Sequence, residues 1–134
     1  MNETEGKSLD DVAGFVIECS NCPRLSSYIR QVGETKVKRF VNDEYWSKPV
    51  PGFGDNEAEL VIVGLAPAAH GGNRTGRMFT GDSSGQWLMK ALYETGYANI
   101  STSISKHDGL FLKEIAHRYF DIHPCTGISF SSLI

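Results

Sequence analysis

Residues 59–65 read ELVIVGL, and residues 64–82 read GLAPAAHGGNRTGRMFTGD, so an apolar run passes directly into a stretch rich in glycine. A short run of branched apolar residues is the pattern of a strand buried on both faces, as in a parallel sheet, and it predicts a central strand here. The glycine-rich stretch can bury little. After it, SSGQWLMKALYETGY has helical periodicity, with Ser83 or Ser84 as N-cap, Trp87, Leu88, Ala91 and Leu92 as the buried face, and Gly96 near the end. Strand, glycine-rich loop and helix in succession predict an α/β fold, with the loop at the C-terminal edge of the sheet, where ligands of such folds bind.

The flanking sequence fits one domain. Residues 8–18, SLDDVAGFVIE, predict a helix capped by Ser8, with Val12, Phe15 and Val16 on one face. A second helix is predicted over residues 24–41, and KPVPGFGD then breaks the periodicity as a loop. The final stretch, KEIAHRYFDIHPCTGISFSSLI, begins with a helix-like pattern. A length of 134 residues, 40% of them apolar, suits a single core, and no repeat or second-domain boundary interrupts it.

Charge and cysteine content narrow the class. A net charge of -3 argues against a strongly basic nucleic-acid module, although a local cluster can still bind a backbone. No run approaches the roughly 18 apolar residues of a membrane span, and the start, MNETEGKSLDD, is too acidic for a secretory signal. The expectation is a cytoplasmic protein with no membrane partner. Three cysteines, two of them in Cys19-Ser-Asn-Cys22, make a poor disulfide framework and favour metal or redox chemistry.

Glycines in a loop after a strand let backbone N–H groups approach a ligand, because no Cβ stands in the way. The loop lacks the lysine and hydroxyl residue of a Walker sequence and the spacing of GxGxxG. His70, Asn73, Arg74 and Arg77 supply donors for a phosphate or an amide-like base edge, and Phe79 offers a face on which a planar ring can stack. A nucleobase with a neighbouring phosphate suits that set. The alternatives are plain. Gly71, Gly72, Gly76 and Gly81 can simply make turns, Phe79 can fill core, Asn73 can satisfy a turn, and His70 can only brace the loop.

CSNCPRL, YWSKPVPGFGD, VIVGLAPAAHGGNRTGRMFTGD and the later DGL together resemble the N-terminal part of a family 5 (type b) uracil-DNA glycosylase, an iron-sulfur branch of that superfamily, over residues 19 to about 113. The resemblance implies a three-layer α/β sandwich with a central, mainly parallel sheet, incomplete at its C-terminus. It implies a monomeric enzyme that acts on DNA containing uracil, and on other deaminated bases, by hydrolysing the N-glycosidic bond of a flipped nucleotide. Ala66 stands where related branches carry a polar residue that orients water, so Asn73 is the candidate catalytic residue, positioning water without deprotonating it. Phe79 would stack on the base, Ala66 and Pro67 would line its polar edge, and His70 would contact it. The resemblance also implies a 4Fe-4S cluster, with Cys19 and Cys22 as its first two ligands and Cys125 near the expected third. Alone, one CxxC equally suits half a zinc site or a redox pair.

From about Lys113 the likeness ends, and the sequence reads as a single truncated domain, 1–134, with a divergent tail over 114–134. A fourth cysteine, a second motif with a histidine donor, and the strand asparagine expected after DGL are missing, so the cluster's ligand set is incomplete. His123-Pro124 echoes the second motif by coincidence. Loss of the leaving-group donor and of the base-edge asparagine, at about 3 kcal/mol per oriented donor, implies catalysis lowered by orders of magnitude. A missing half-sheet also predicts exposed apolar strands and poor solubility. Two rival readings are a non-catalytic nucleic-acid or nucleotide-binding module and a small CxxC metal or redox protein.

Overall fold

Ser8 opens the first helix through a capping box. Its hydroxyl accepts from the Asp11 backbone N–H at 3.2 Å, while the Asp11 carboxylate accepts from the Ser8 N–H at 2.9 Å. The computed structural model describes residues 8–119. Helix α1 runs Leu9–Ile17 and buries none of its residues; Phe15 is 64% exposed. Among the described residues nothing buries the face that carries Val12, Phe15 and Val16, because periodicity specifies an apolar stripe but not what covers it. Helix α2, Pro23–Thr35, starts with proline at N1, where its missing N–H has no partner to lose. It ends before residue 41. Lys36 turns into left-handed backbone at φ 41, and a short 3-10 turn, Lys38–Phe40, follows.

Strand β1 is Phe53–Gly54, within the segment expected as loop, and β2 is Leu60–Gly64. Strand β3, Ile115–Tyr119, lies between them in the order β1-β3-β2. It runs parallel to β2, from Leu60↔Ile115 to Gly64↔Tyr119, and antiparallel to β1. One expectation is corrected here. The start of the 113–134 stretch is a strand, since so short an apolar pattern does not separate helix from strand until a partner is present. Among the described residues β2 pairs on one side only, with Leu60, Val61 and Val63 between 45% and 53% exposed. The α/β class holds.

Within the loop, Gly72–Thr75 forms one helical turn, α3, closed by Gly76 in the left-handed conformation at φ 76. Helix α4, Ser83–Glu94, is capped by Asp82 rather than by Ser83 or Ser84: the carboxylate accepts from the Gly85 N–H at 2.8 Å. Its buried residues are Gly85, Met89 and Leu92, with Leu88 partly buried. Trp87 is 74% exposed, and Ala91 is exposed as well. The helix is rotated from the expected face because Gly85 lies against the Phe79 carbonyl, which a Cβ there would strike. Met89 and Leu92 form the core with Ala98, Leu110 and Leu112, against which Phe53, Ile62, Phe79, Tyr97 and Ile100 pack. The core thus sits directly beneath the end of the glycine-rich loop.

Candidate functional site

The loop is held by its own two arginines. Arg74 donates from Nε to the His70 carbonyl at 2.7 Å, from Nη1 to Asp43 at 2.8 Å and from Nη2 to the Gly81 carbonyl at 3.3 Å, and its guanidinium lies 3.8 Å from the Phe40 ring centroid. Arg77 is 5% exposed and forms a bidentate pair with Asp108, with further donation to Thr80 Oγ1 at 2.9 Å and Ser103 Oγ at 3.0 Å. Both were expected as donors to a phosphate or a base edge. The structure turns them inward instead, where a buried cation keeps its charge only by satisfying its donors.

Asp108 is the partner that sequence reasoning missed. Burial pushes its carboxyl up, but the Arg77 guanidinium and the backbone N–H groups of Leu110, Ile104 and Ser105 more than offset this and hold it well below the ordinary carboxylate range. Its position in DGL, in a turn opposite the loop, is the only sequence signal for it. Through this pair the loop is fixed to the 103–110 segment, and Arg77 also lies over the Phe53 ring at 4.9 Å.

Around α3 the loop gathers four of the candidate residues. Pro67 packs on Gly72, where an added Cβ would come within 2.9 Å of the proline Cβ. Asn73 is 4% exposed; its N–H donates to the Ala68 carbonyl at 3.1 Å and its Nδ2 to the Ile29 carbonyl of α2 at 3.2 Å. Its Oδ1 is buried without a hydrogen-bond partner among the described residues. His70 is half-buried, with Nδ1 2.9 Å from the Tyr45 hydroxyl and the two rings edge to face. Ala66 is half-buried beside Pro67. Phe79 lies beyond the turn, in left-handed backbone at φ 47, and packs against the core cluster.

Cys19 is exposed just after α1, and Cys22 is half-buried at the N-cap of α2; neither is in a disulfide. The thiols suit an iron-sulfur or zinc site in kind. In number they fall short. Among the described residues no group of three or more His, Cys, Asp or Glu side chains could hold a metal ion, and Cys125, with His123 and Pro124, lies outside those residues. Two thiolates are half of what a 4Fe-4S cluster takes, so no chemical step is routed through one.

A groove of about 510 Å³ runs along α4, lined by Trp87, Lys90 and Tyr93 together with Ser101 and Thr102, and it includes none of the loop residues. Among the described residues no helix is long and apolar enough to cross a membrane.

A family model described as the uracil DNA glycosylase superfamily matches residues 51–125, from inside the region of resemblance to beyond residue 113. Among curated relatives, a type-5 uracil-DNA glycosylase of Pyrobaculum aerophilum is 50% identical over 101 residues, covering 75% of this chain and 44% of the relative. One of Mycobacterium leprae is 45% identical over 108 residues, covering 81% and 47%. One of Thermus thermophilus is 48% identical over 90 residues, covering 67% and 41%. The chain spans less than half the length of these relatives.

Proposed function

Because the chain belongs to the uracil-DNA glycosylase superfamily, we propose that its glycine-rich loop is the base-binding wall of a DNA repair glycosylase that hydrolyses the N-glycosidic bond of uracil in DNA. In that reaction water adds at C1′, the C1′–N1 bond breaks, its electron pair leaves with the uracil anion, and the water's proton passes to solvent. The protein's part is mainly to flip and hold the nucleotide and to place fixed dipoles where charge develops. The observation that carries the reading is Asn73 Oδ1, a buried acceptor with no partner among the described residues. A buried polar atom in that state is a site awaiting a donor, and a water molecule supplies one. An amide orients such a water and does not deprotonate it.

In this reading Phe79 stacks on the base, backbone groups at Ala66 and Pro67 face its polar edge, and His70, braced by Tyr45, contacts it. Cys19, Cys22 and Cys125 would supply thiolates to a 4Fe-4S cluster, as an incomplete ligand set within this chain. On the same reading the chain forms part of a three-layer α/β sandwich in a monomeric, cytoplasmic protein. The test is release of free uracil from a duplex carrying a single uracil, with the Asn73→Ala chain as control. Release by the parent chain, lost in the variant, is the expected result; no release by the parent removes the enzymatic reading. Uracil-dependent binding without release would favour the non-catalytic module instead.

A further inference from the structure

We propose that Trp46, Lys48 and Lys106 form a phosphate clamp that grips the DNA backbone beside the glycine-rich loop; the proposal rests on the glycosylase reading and deepens it. Lys106 Nζ lies 4.7 Å and Lys48 Nζ 5.7 Å from the Trp46 ring centroid, so two ammonium groups from segments almost sixty residues apart converge on one indole. Both lysines are exposed, and neither has an ion-pair partner among the described residues.

The indole itself is not a platform for a base. It is half-buried, its Nε1 donates to the Pro49 carbonyl at 3.1 Å, and Gly76 presses on it so closely that an added Cβ would come within 2.9 Å of the ring. Trp46 therefore acts as a fixed post toward which two cations from distant segments are drawn, since the π system of an indole attracts both. Two exposed ammonium groups gathered around one ring suit an anion with several oxygens.

The clamp is locked to the loop from both sides. The Trp46 N–H donates to the Arg74 carbonyl at 3.0 Å and the Ser47 N–H to the Asn73 carbonyl at 3.1 Å, while Lys106 sits in the segment that the Arg77–Asp108 pair fixes. A phosphate held there keeps a constant distance from whatever the loop holds. With a net charge of -3, these 134 residues have no general attraction for a polyanion, so a local cationic cluster is where one would bind.

The test reads the salt dependence of binding to a fluorescent duplex that contains no uracil. Lys48→Gln and Lys106→Gln should each make the slope of log K against log salt shallower by about 0.9, the value of one lost phosphate contact, while Lys48→Arg and Lys106→Arg keep the parent slope. Parent slopes in both glutamine variants, or no binding of the parent chain to the duplex at low salt, overturn the clamp. The glycosylase reading fails separately: there, a duplex with uracil would bind no better than one without it, whatever the slopes.

Discussion

Arg77 and Asp108, far apart in the chain, meet through two parallel hydrogen bonds, Nη1 to Oδ1 at 2.9 Å and Nη2 to Oδ2 at 2.7 Å, with side chains only 6% and 13% exposed. This pair joins the glycine-rich loop to the segment that carries Lys106.

Acid should therefore loosen the loop. The folded Asp108 carboxyl titrates well below its ordinary value of 3.8, so the pair's contribution is whole above that value, falls as pH drops through it, and ends only below the folded value. Thermal melts between about pH 6 and pH 3 should show this loss. Asp108→Asn, which leaves Arg77 buried and uncompensated, should cost about 3 kcal/mol near neutral pH and flatten the acid dependence. An unchanged acid profile in the variant would place the titrating group elsewhere.

Gly85 and Gly14 should respond oppositely to alanine. Both lie in helices, where alanine gains about 1 kcal/mol over glycine in an open position. A Cβ on Gly14 meets nothing within 4 Å, whereas one on Gly85 strikes the Phe79 carbonyl. Gly14→Ala should raise the melting temperature and Gly85→Ala lower it, with the second change also disturbing Phe79.

Removing the Phe79 ring should weaken uracil release. Base stacking on an aromatic side chain is worth about 1–3 kcal/mol, so Phe79→Ala should lower release from a single-uracil duplex roughly 10- to 100-fold. A core-filling role alone would instead show as a lower melting temperature with release per folded molecule unchanged.

Iron binding should depend on both thiols of the CxxC pair. After reconstitution with iron and sulfide, Cys19→Ser and Cys22→Ser should each lose most of the bound iron and the visible absorption of the parent chain. Equal iron content in parent and variants would exclude these thiols as ligands.

The open face of β2 should limit solubility. Val61 and Val63 point to the same side, and both are about half-exposed. Val63→Lys should reduce light scattering at high protein concentration with little change in melting temperature, since edge strands are protected by lysine.

The order strand, loop, helix was legible in the sequence because each element depends on local preferences: branched residues in ELVIVGL, glycines after them, and a 3.6-residue period in α4. Ser8 was legible as a cap for the same reason, its acceptor lying three residues from its donor. Only the tertiary structure decided which side of each element is covered. Trp87 faces out because Gly85 lies against the Phe79 carbonyl, β3 pairs with β2 on one side among the described residues, and Arg74 and Arg77 turn inward because Asp43 and Asp108 await them. Short-range periodicity carries no record of partners brought together from distant parts of the chain. The direction in which a loop arginine points is set by those partners.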